Sequence, residues 1–394
     1  MKTYKEILEE NRAWAEETFK KVDNKLSAVA IRSRDKLVDG VGPDGVTHAS
    51  TNTTSWTAGF FGGMNVLMWE HTKNEEYLKT AKRSEELLDE GFKKPTVLTH
   101  DVGFMWHILS GALYRLTGDE GSRVRNYYAA ALLASRYIPS SKYIVAWNGN
   151  AWKWQGRSVA NCSIIDTMMN MPLLFWASRL VDDDRFAQLA VLHADMTLAQ
   201  HIRPDGSVVH IVDHDRATGE CIDTIGGQGY AVGSSWSRGQ TWAIYGFALM
   251  YRNTGDVKYL DAAKRVANYF ISNIFDEWVP RSDFRAPNDP VYYDTSAATI
   301  AAAGMLEIAK AVPEYEGGIY ANAAVNILKA VSSRFADFDP NTDVMITHST
   351  RHCPVPGIRT EAQSGLHIPI IYAEFYYVEA LLKLLGSEFN PWLS

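Results

Sequence analysis

Asp166 lies in the run Ile164-Ile165-Asp166-Thr167-Met168-Met169-Asn170. Burying an ionised carboxylate unpaired in such company is costly, so it tends to take up a proton. A carboxyl kept protonated at neutral pH is a general acid. Ser163, three residues earlier, offers a plainer alternative, a capping box with Asp166, and a helix start there would favour the anion. A second carboxylate, Asp101, stands in Thr99-His100-Asp101-Val102-Gly103-Phe104 and could be no more than a helix N-cap. If the two meet across a pocket, close carboxylates hold one proton between them, which offsets the pull of the helix end.

A further set could hold an anionic sugar. It comprises His210, Gln228, Trp236, Arg238 and Trp242, within Asp205-Gly206-Ser207-Val208-Val209-His210, Gly227-Gln228-Gly229-Tyr230 and Ser235-Trp236-Ser237-Arg238-Gly239-Gln240-Thr241-Trp242. Arg238 offers a planar fork for a carboxylate, His210 and Gln228 add donors, and the two Trp offer flat faces to a pyranose ring. Each has a structural explanation alone, but three donors and two Trp at one loop and helix start point to a site. Trp56, in Ser55-Trp56-Thr57-Ala58-Gly59, is either core or a further stacking wall. Arg351, His352 and Arg359, in the Pro- and Gly-containing stretch 348–359, are either solvated charge or contacts to a leaving sugar or its sulfate.

Helical periodicity dominates the rest. It predicts helices over about 4–22, 58–72, 75–91, 102–117, 122–138, 164–180, 183–201, 238–253, 256–273, 294–311, 316–335 and 366–385. Turns such as Leu116-Thr117-Gly118-Asp119-Glu120 and Asn253-Thr254-Gly255-Asp256 pair a helix stop with an N-cap, so neighbouring helices form hairpins. The connections between hairpins are long and rich in Gly, Pro, Trp and His: 32–57, 92–101, 139–163, 202–237, 274–293 and 336–365. Short turns on one side and long loops on the other imply an all-α fold, an (α/α)6 barrel or six-hairpin toroid, with residues 1–394 as a single domain. Loops of that length are usually functional, and all would meet at one mouth. Turn signals at Asp205-Gly206 and Thr218-Gly219 predict a small β-hairpin over it.

Bulk properties narrow the class. A net charge of −7 argues against tracking nucleic-acid phosphates, and the absence of an 18-residue apolar run argues against a membrane span. The start of the chain reads as an amphipathic helix without a signal core, and three separated cysteines fit a reducing cytoplasm. Cofactor, zinc-protease and serine-nucleophile motifs are missing, so neither a metal nor a cofactor is expected.

With these segments in view, the chain resembles the unsaturated glucuronyl hydrolases of glycoside hydrolase family 88. The resemblance runs from Trp56-Thr57-Ala58-Gly59-Phe60 through His100-Asp101-Val102-Gly103-Phe104, Ile165-Asp166-Thr167-Met168-Met169-Asn170 and Asp205-Gly206-Ser207. It continues through Trp236-Ser237-Arg238-Gly239-Gln240-Thr241-Trp242 to Tyr293-Asp294-Thr295-Ser296-Ala297. It implies Asp166 as catalytic acid and base with Asp101 as its partner, His210, Gln228, Arg238 and Trp242 as uronate-binding residues, and Trp56 and Trp236 as stacking walls. It also implies a substrate, an oligosaccharide ending in the 4-deoxy unsaturated uronate left by a polysaccharide lyase, and a reaction, hydration of its C4=C5 bond. In relatives the last long loop helps read sulfate on the leaving amino sugar. The Arg-Gly-Gln-Thr-Trp element is shared with the rhamnogalacturonyl hydrolases of family 105, which would act on pectin fragments. A sugar epimerase on the same toroid, with His bases, and a non-catalytic sugar-binding module are the other readings.

Overall fold

The computed structural model describes residues 2–42, 44–149, 153–154 and 156–393, so residues 150–152 and 155 of the 139–163 connection lie outside it. The helices are α1 (Tyr4–Arg32), α2 (Ala58–Thr72), α3 (Glu75–Leu88), α4 (Ala112–Thr117), α5 (Glu120–Ala134), α6 (Met171–Val181), α7 (Arg185–Gln200) and α8 (Ser237–Thr254). They continue with α9 (Val257–Ile274), α10 (Thr295–Ala311), α11 (Glu314–Arg334), the short α12 (Glu361–Ser364) and α13 (Ile371–Leu384).

Six helices form an inner ring: α2, α4 with its preceding turns, α6, α8, α10 and α13, with α13 packing back on α2. The outer layer is α3, α5, α7, α9 and α11, and α1 fills the remaining place between α11 and α3. The fold is therefore the six-hairpin toroid expected, completed by the first and last helices of the chain. Inner helices are buried nearly all round, as α10 is from Thr295 to Ala309, whereas outer α9 buries one stripe through Tyr259, Leu260, Ala263, Val266 and Phe270.

The hairpin turns follow the expected chemistry. Gly118 and Gly255 close their helices at φ 73° and 71°, and Asp119 and Asp256 accept from the Ser122 and Lys258 amides. Between α6 and α7 Asp182 itself takes the left-handed position.

Several expected bounds shift. The first helix runs ten residues further than predicted, to Arg32, because a capping box on Thr3 starts it and Val22, Leu26, Val29 and Ala30 continue its buried face. The predicted 102–117 helix opens as a π-helix, Gly103–Gly111, and the predicted 164–180 helix opens as a 3-10 segment, Ile165–Asn170. Irregular first turns of this kind recur at functional sites. The mouth hairpin is present as Ile211–His214 and Cys221–Ile225, but Cys162–Ile164 joins it, giving a three-stranded antiparallel sheet. That strand ends two residues before Asp166. Among the described residues, no helix is long and apolar enough to cross a membrane.

Candidate active site

Two hydrogen bonds tie the segments that carry the carboxylates. His100 Nδ1 and Thr167 Oγ1 are 2.9 Å apart, and the Phe104 amide donates to Asn170 Oδ1 at 3.0 Å. Gly103 permits the approach, since a Cβ there would stand 2.5 Å from Asn170 Oδ1. Neither carboxylate caps a helix. Thr99 Oγ1 donates to Asp101 Oδ2 at 2.9 Å, and His100 Nε2 stands 3.4 Å from the same oxygen. The Ser163 hydroxyl is taken by His201 Nε2 at 2.8 Å and His214 Nε2 at 2.7 Å, so no capping box with Asp166 forms.

Burial, and after it the charge of Asp166, pushes the Asp101 carboxyl up to about 7. Asp101 therefore retains a proton close to neutral pH, held there in part by the neighbouring charge of Asp166. Asp166 is 9% exposed, and its Oδ2 is buried with no hydrogen-bond partner among the described residues. His210 Nε2 is likewise unpartnered and stands 3.6 Å from that oxygen, too far for a hydrogen bond. His210 Nδ1 accepts the Gln228 amide at 3.0 Å, so a neutral ring carries its proton on Nε2, on the Asp166 side. Gly227, at φ 61°, makes this possible: a Cβ would lie 2.1 Å from His210 Nδ1.

Arg238 stands beside this pair but is not a free fork. Its Nη1 donates to Asp294 Oδ2 at 2.6 Å, Ser296 Oγ at 3.0 Å and the Thr350 carbonyl at 3.0 Å, and its Nη2 to the Arg351 carbonyl at 2.7 Å. The guanidinium lies over Trp236 at 4.5 Å and Tyr372 at 5.6 Å. Gln228 joins the same carbonyl, its Nε2 donating to Arg351 O at 2.6 Å.

The aromatic expectations need correction. Trp236 is 2% and Trp242 0% exposed, so neither has a free face for a sugar. Trp236 packs against the His210 ring at 4.2 Å, and Trp242 against Phe104 at 5.3 Å. They support the site from behind because ring burial here outweighs keeping a surface open. Trp56 remains partly exposed, against Phe104 at 5.3 Å and Tyr372 at 5.0 Å. Two half-buried rings that the sequence reading did not single out lie nearer the carboxylates' partners: Trp154, whose Nε1 donates to Gly227 O at 3.1 Å, and Trp147, edge-on to His100 at 6.1 Å.

The last loop also differs from expectation. Arg359 donates to the carbonyls of Cys353 at 2.8 Å and Gly229 at 2.9 Å, pinning its loop to the Gly227–Gly229 turn. Its donors are spent on backbone and not turned to a ligand. Burial, then the Arg359 charge, lowers the His352 pKa to about 3, so His352 brings no positive charge at neutral pH. Arg351 is exposed, the one of the three whose charge faces solvent.

A model of Glycosyl Hydrolase Family 88 matches residues 40–281. The chain belongs to glycoside hydrolase family 88. It is 32% identical over 346 residues to the unsaturated glucuronyl hydrolase of Bacillus sp. (strain GL1), spanning 86% of this chain and 89% of that protein. It is 29% identical over 340 residues to the unsaturated chondroitin disaccharide hydrolase of Streptococcus pneumoniae, spanning 84% and 82% of the two. The crystal structure of the Bacillus enzyme superposes with a TM-score of 0.85 at 29% identity, over 95% of this chain and 98% of that one. This glycoside hydrolase thus has the toroid of its relatives, with buried carboxylates at the open end.

Proposed function

We propose that the chain hydrates the C4=C5 bond of a 4-deoxy unsaturated uronate at the non-reducing end of lyase-generated glycosaminoglycan oligosaccharides and releases the neighbouring amino sugar. We take residues 1–394 as one catalytic unit, a reading supported by a hydrophobic cluster that runs from Ile7 to Trp392. The observation that carries the proposal is the interacting Asp101–Asp166 pair, with Asp166 Oδ2 and His210 Nε2 buried and unpartnered beside it. The substrate class follows from the named activities of the relatives.

The C4=C5 bond conjugates with the ring oxygen as a vinyl ether. Asp166 delivers a proton to C4, and the cation that develops at C5 is shared with the ring oxygen and steadied by the carboxylate pair. Water adds to C5 as Asp166, now ionised, takes its proton. The hemiketal at C5 opens to a ketone, and the acetal carbon, left as a hemiacetal, expels the neighbouring sugar. His210 Nε2–H, Gln228 and the donors of Arg238 not bound to protein hold the uronate, while Trp56 and Trp154 flank the ring.

One observation favours a second division of labour. Because Asp101 is the carboxyl pushed up to about 7, it could supply the proton while Asp166 acts only on the water. Formate would then restore turnover to Asp166→Asn, whereas a residue performing both steps would not be replaced.

The test is a panel of lyase-generated disaccharides followed by the ultraviolet absorbance of the conjugated double bond. Loss of absorbance with an unsaturated glucuronyl-hexosamine supports the proposal. Turnover confined to an unsaturated galacturonyl-rhamnose shifts it to pectin fragments, and binding without loss of absorbance overturns it.

A further inference from the structure

His100 and Thr167 lie next to the carboxylate pair, and the reaction just derived uses neither. Both are fully enclosed, His100 at 2% and Thr167 at 0% exposure. Burial first, and then the Arg136 charge, holds the His100 pKa well below its ordinary value, so the ring is neutral at pH 7. A neutral imidazole has one N–H and one lone pair, and its neighbours decide which nitrogen has which. Here the neighbours are Thr167 Oγ1, 2.9 Å from Nδ1, and Asp101 Oδ2, 3.4 Å from Nε2.

Counting protons separates the two arrangements. With the hydrogen on Nδ1, it would be given to Thr167 Oγ1, and the hydroxyl's own hydrogen would have no acceptor, since Oγ1 has no other partner among the described residues. A buried donor left unmade is expensive. The Nε2 lone pair would also face the Asp101 carboxylate. With the hydrogen on Nε2, the Thr167 hydroxyl donates to Nδ1 and Nε2–H faces Asp101 Oδ2 at 3.4 Å, a charge contact longer than a hydrogen bond.

We infer that Thr167 and His100 act as a tautomer lock on Asp101: the Thr167 hydroxyl fixes the ring with its proton on Nε2, facing Oδ2, to which Thr99 donates, and the proton that Asp101 shares with Asp166 is directed to Oδ1. That oxygen has no protein partner among the described residues, and the side chain is 14% exposed. The charged and titratable groups around the lock are Asp166 and Arg136 beside Asp101, and Arg136, His193 and His210 beside His100. Thr167 and His100 are thus positioning residues for the proton, and the inference rests on the reading of Asp101 as the partner carboxylate.

The direct test is 15N NMR of the full chain labelled at histidine, with His100 assigned by the signal lost in His100→Gln. The lock requires a neutral ring protonated at Nε2 through neutral pH. A ring protonated at Nδ1 overturns it. A kinetic test uses the pH profile on the unsaturated disaccharide. Thr167→Val loosens the ring, and a carboxylate that loses a facing N–H dipole has a higher pKa. The limb reporting Asp101 should then move to higher pH by on the order of half a unit, with kcat affected and KM little changed, and Thr167→Ser should restore the parent profile. An unmoved profile in Thr167→Val overturns the lock. Asp101→Asn keeps the two ideas apart. If that variant is inactive while the lock tests fail, only the lock is lost, whereas normal turnover by Asp101→Asn removes the underlying reading of Asp101.

Discussion

The two ends of the toroid bore are built from similar residues and behave oppositely. At the closed end Lys383 Nζ lies 3.0 Å from Glu307, 2.8 Å from Glu379 and 2.7 Å from the Tyr245 hydroxyl. Asn390 donates to Glu307 at 3.0 Å and Arg252 at 2.8 Å, while Trp392 stacks on Tyr376 with an interplanar angle of 4°. Burial alone would raise the Glu307 pKa, but Lys383 and Arg252 outweigh it and the group stays below the ordinary carboxylate range. At the open end Asp101 and Asp166, unlike neighbouring Asp294 with its Arg238, have no Lys or Arg at contact distance among the described residues, and Asp166 Oδ2 and His210 Nε2 lack hydrogen-bond partners there. The charges of the closed end have their partners in place, whereas on the proposed reading the unpartnered atoms of the open end are completed by the substrate.

Breaking the open end should cost rate before anything else. Asp166→Asn preserves shape and removes the acid, so turnover of the unsaturated disaccharide should fall by roughly 10² to 10⁴-fold with circular dichroism unchanged. Near-parent turnover by the folded variant would remove Asp166 from the reaction.

Breaking the closed end should cost stability. Lys383→Met strands the buried Glu379 carboxylate and leaves Glu307 with Arg252 as its remaining cation, and urea unfolding should show a loss of about 3–5 kcal/mol. A loss under about 1 kcal/mol would mean that the network is not what holds that end.

Asp101→Asn sharpens the contrast by moving activity and stability in opposite directions. Because the folded pKa is raised, stability is full below the unfolded pKa, where both states are protonated, and falls as pH rises to the folded value near 7, because only the unfolded chain releases its proton in that window. Relative to the uncharged Asn, the parent therefore pays increasingly between about pH 4 and 7. The variant should be inactive yet melt higher than the parent above pH 7, with the gap closing toward pH 4. A lower melting temperature at pH 8 would contradict the raised pKa.

Within the mouth, Arg359 and Arg351 should part company. Arg359→Ala unpins the loop from Gly227–Gly229 and should lower kcat/KM equally for sulfated and unsulfated disaccharides. Arg351→Ala should lower it by about ten-fold only for the sulfated one. Equal effects of Arg351→Ala on both substrates would end its role as a sulfate contact. The smallest expected effect is that of EDTA, which should leave rate and melting temperature unchanged; a loss restored by one divalent ion would introduce a metal.

The sequence by itself determined the hairpin toroid, because apolar spacing and Gly-Asp turn chemistry are local signals, read correctly at Gly118-Asp119 and Gly255-Asp256. It also marked Asp166, since a carboxylate among apolar residues is visible in one dimension, whereas Asp101 read equally well as a helix N-cap. What surrounds them was decided by tertiary structure. Whether Trp242 faces a sugar or the core depends on Phe104 and Tyr372, which come from other helices. Whether Arg238 and Arg359 are free depends on Asp294 and on carbonyls at 227–229, 350, 351 and 353. Thr167 and Asn170 were in plain view as polar residues one and four places after Asp166, but their partners His100 and the Phe104 amide are 67 and 66 residues away. A side chain's type is written in the sequence, whereas its hydrogen-bond partner is fixed only when distant segments are packed too closely to leave a buried polar atom unsatisfied.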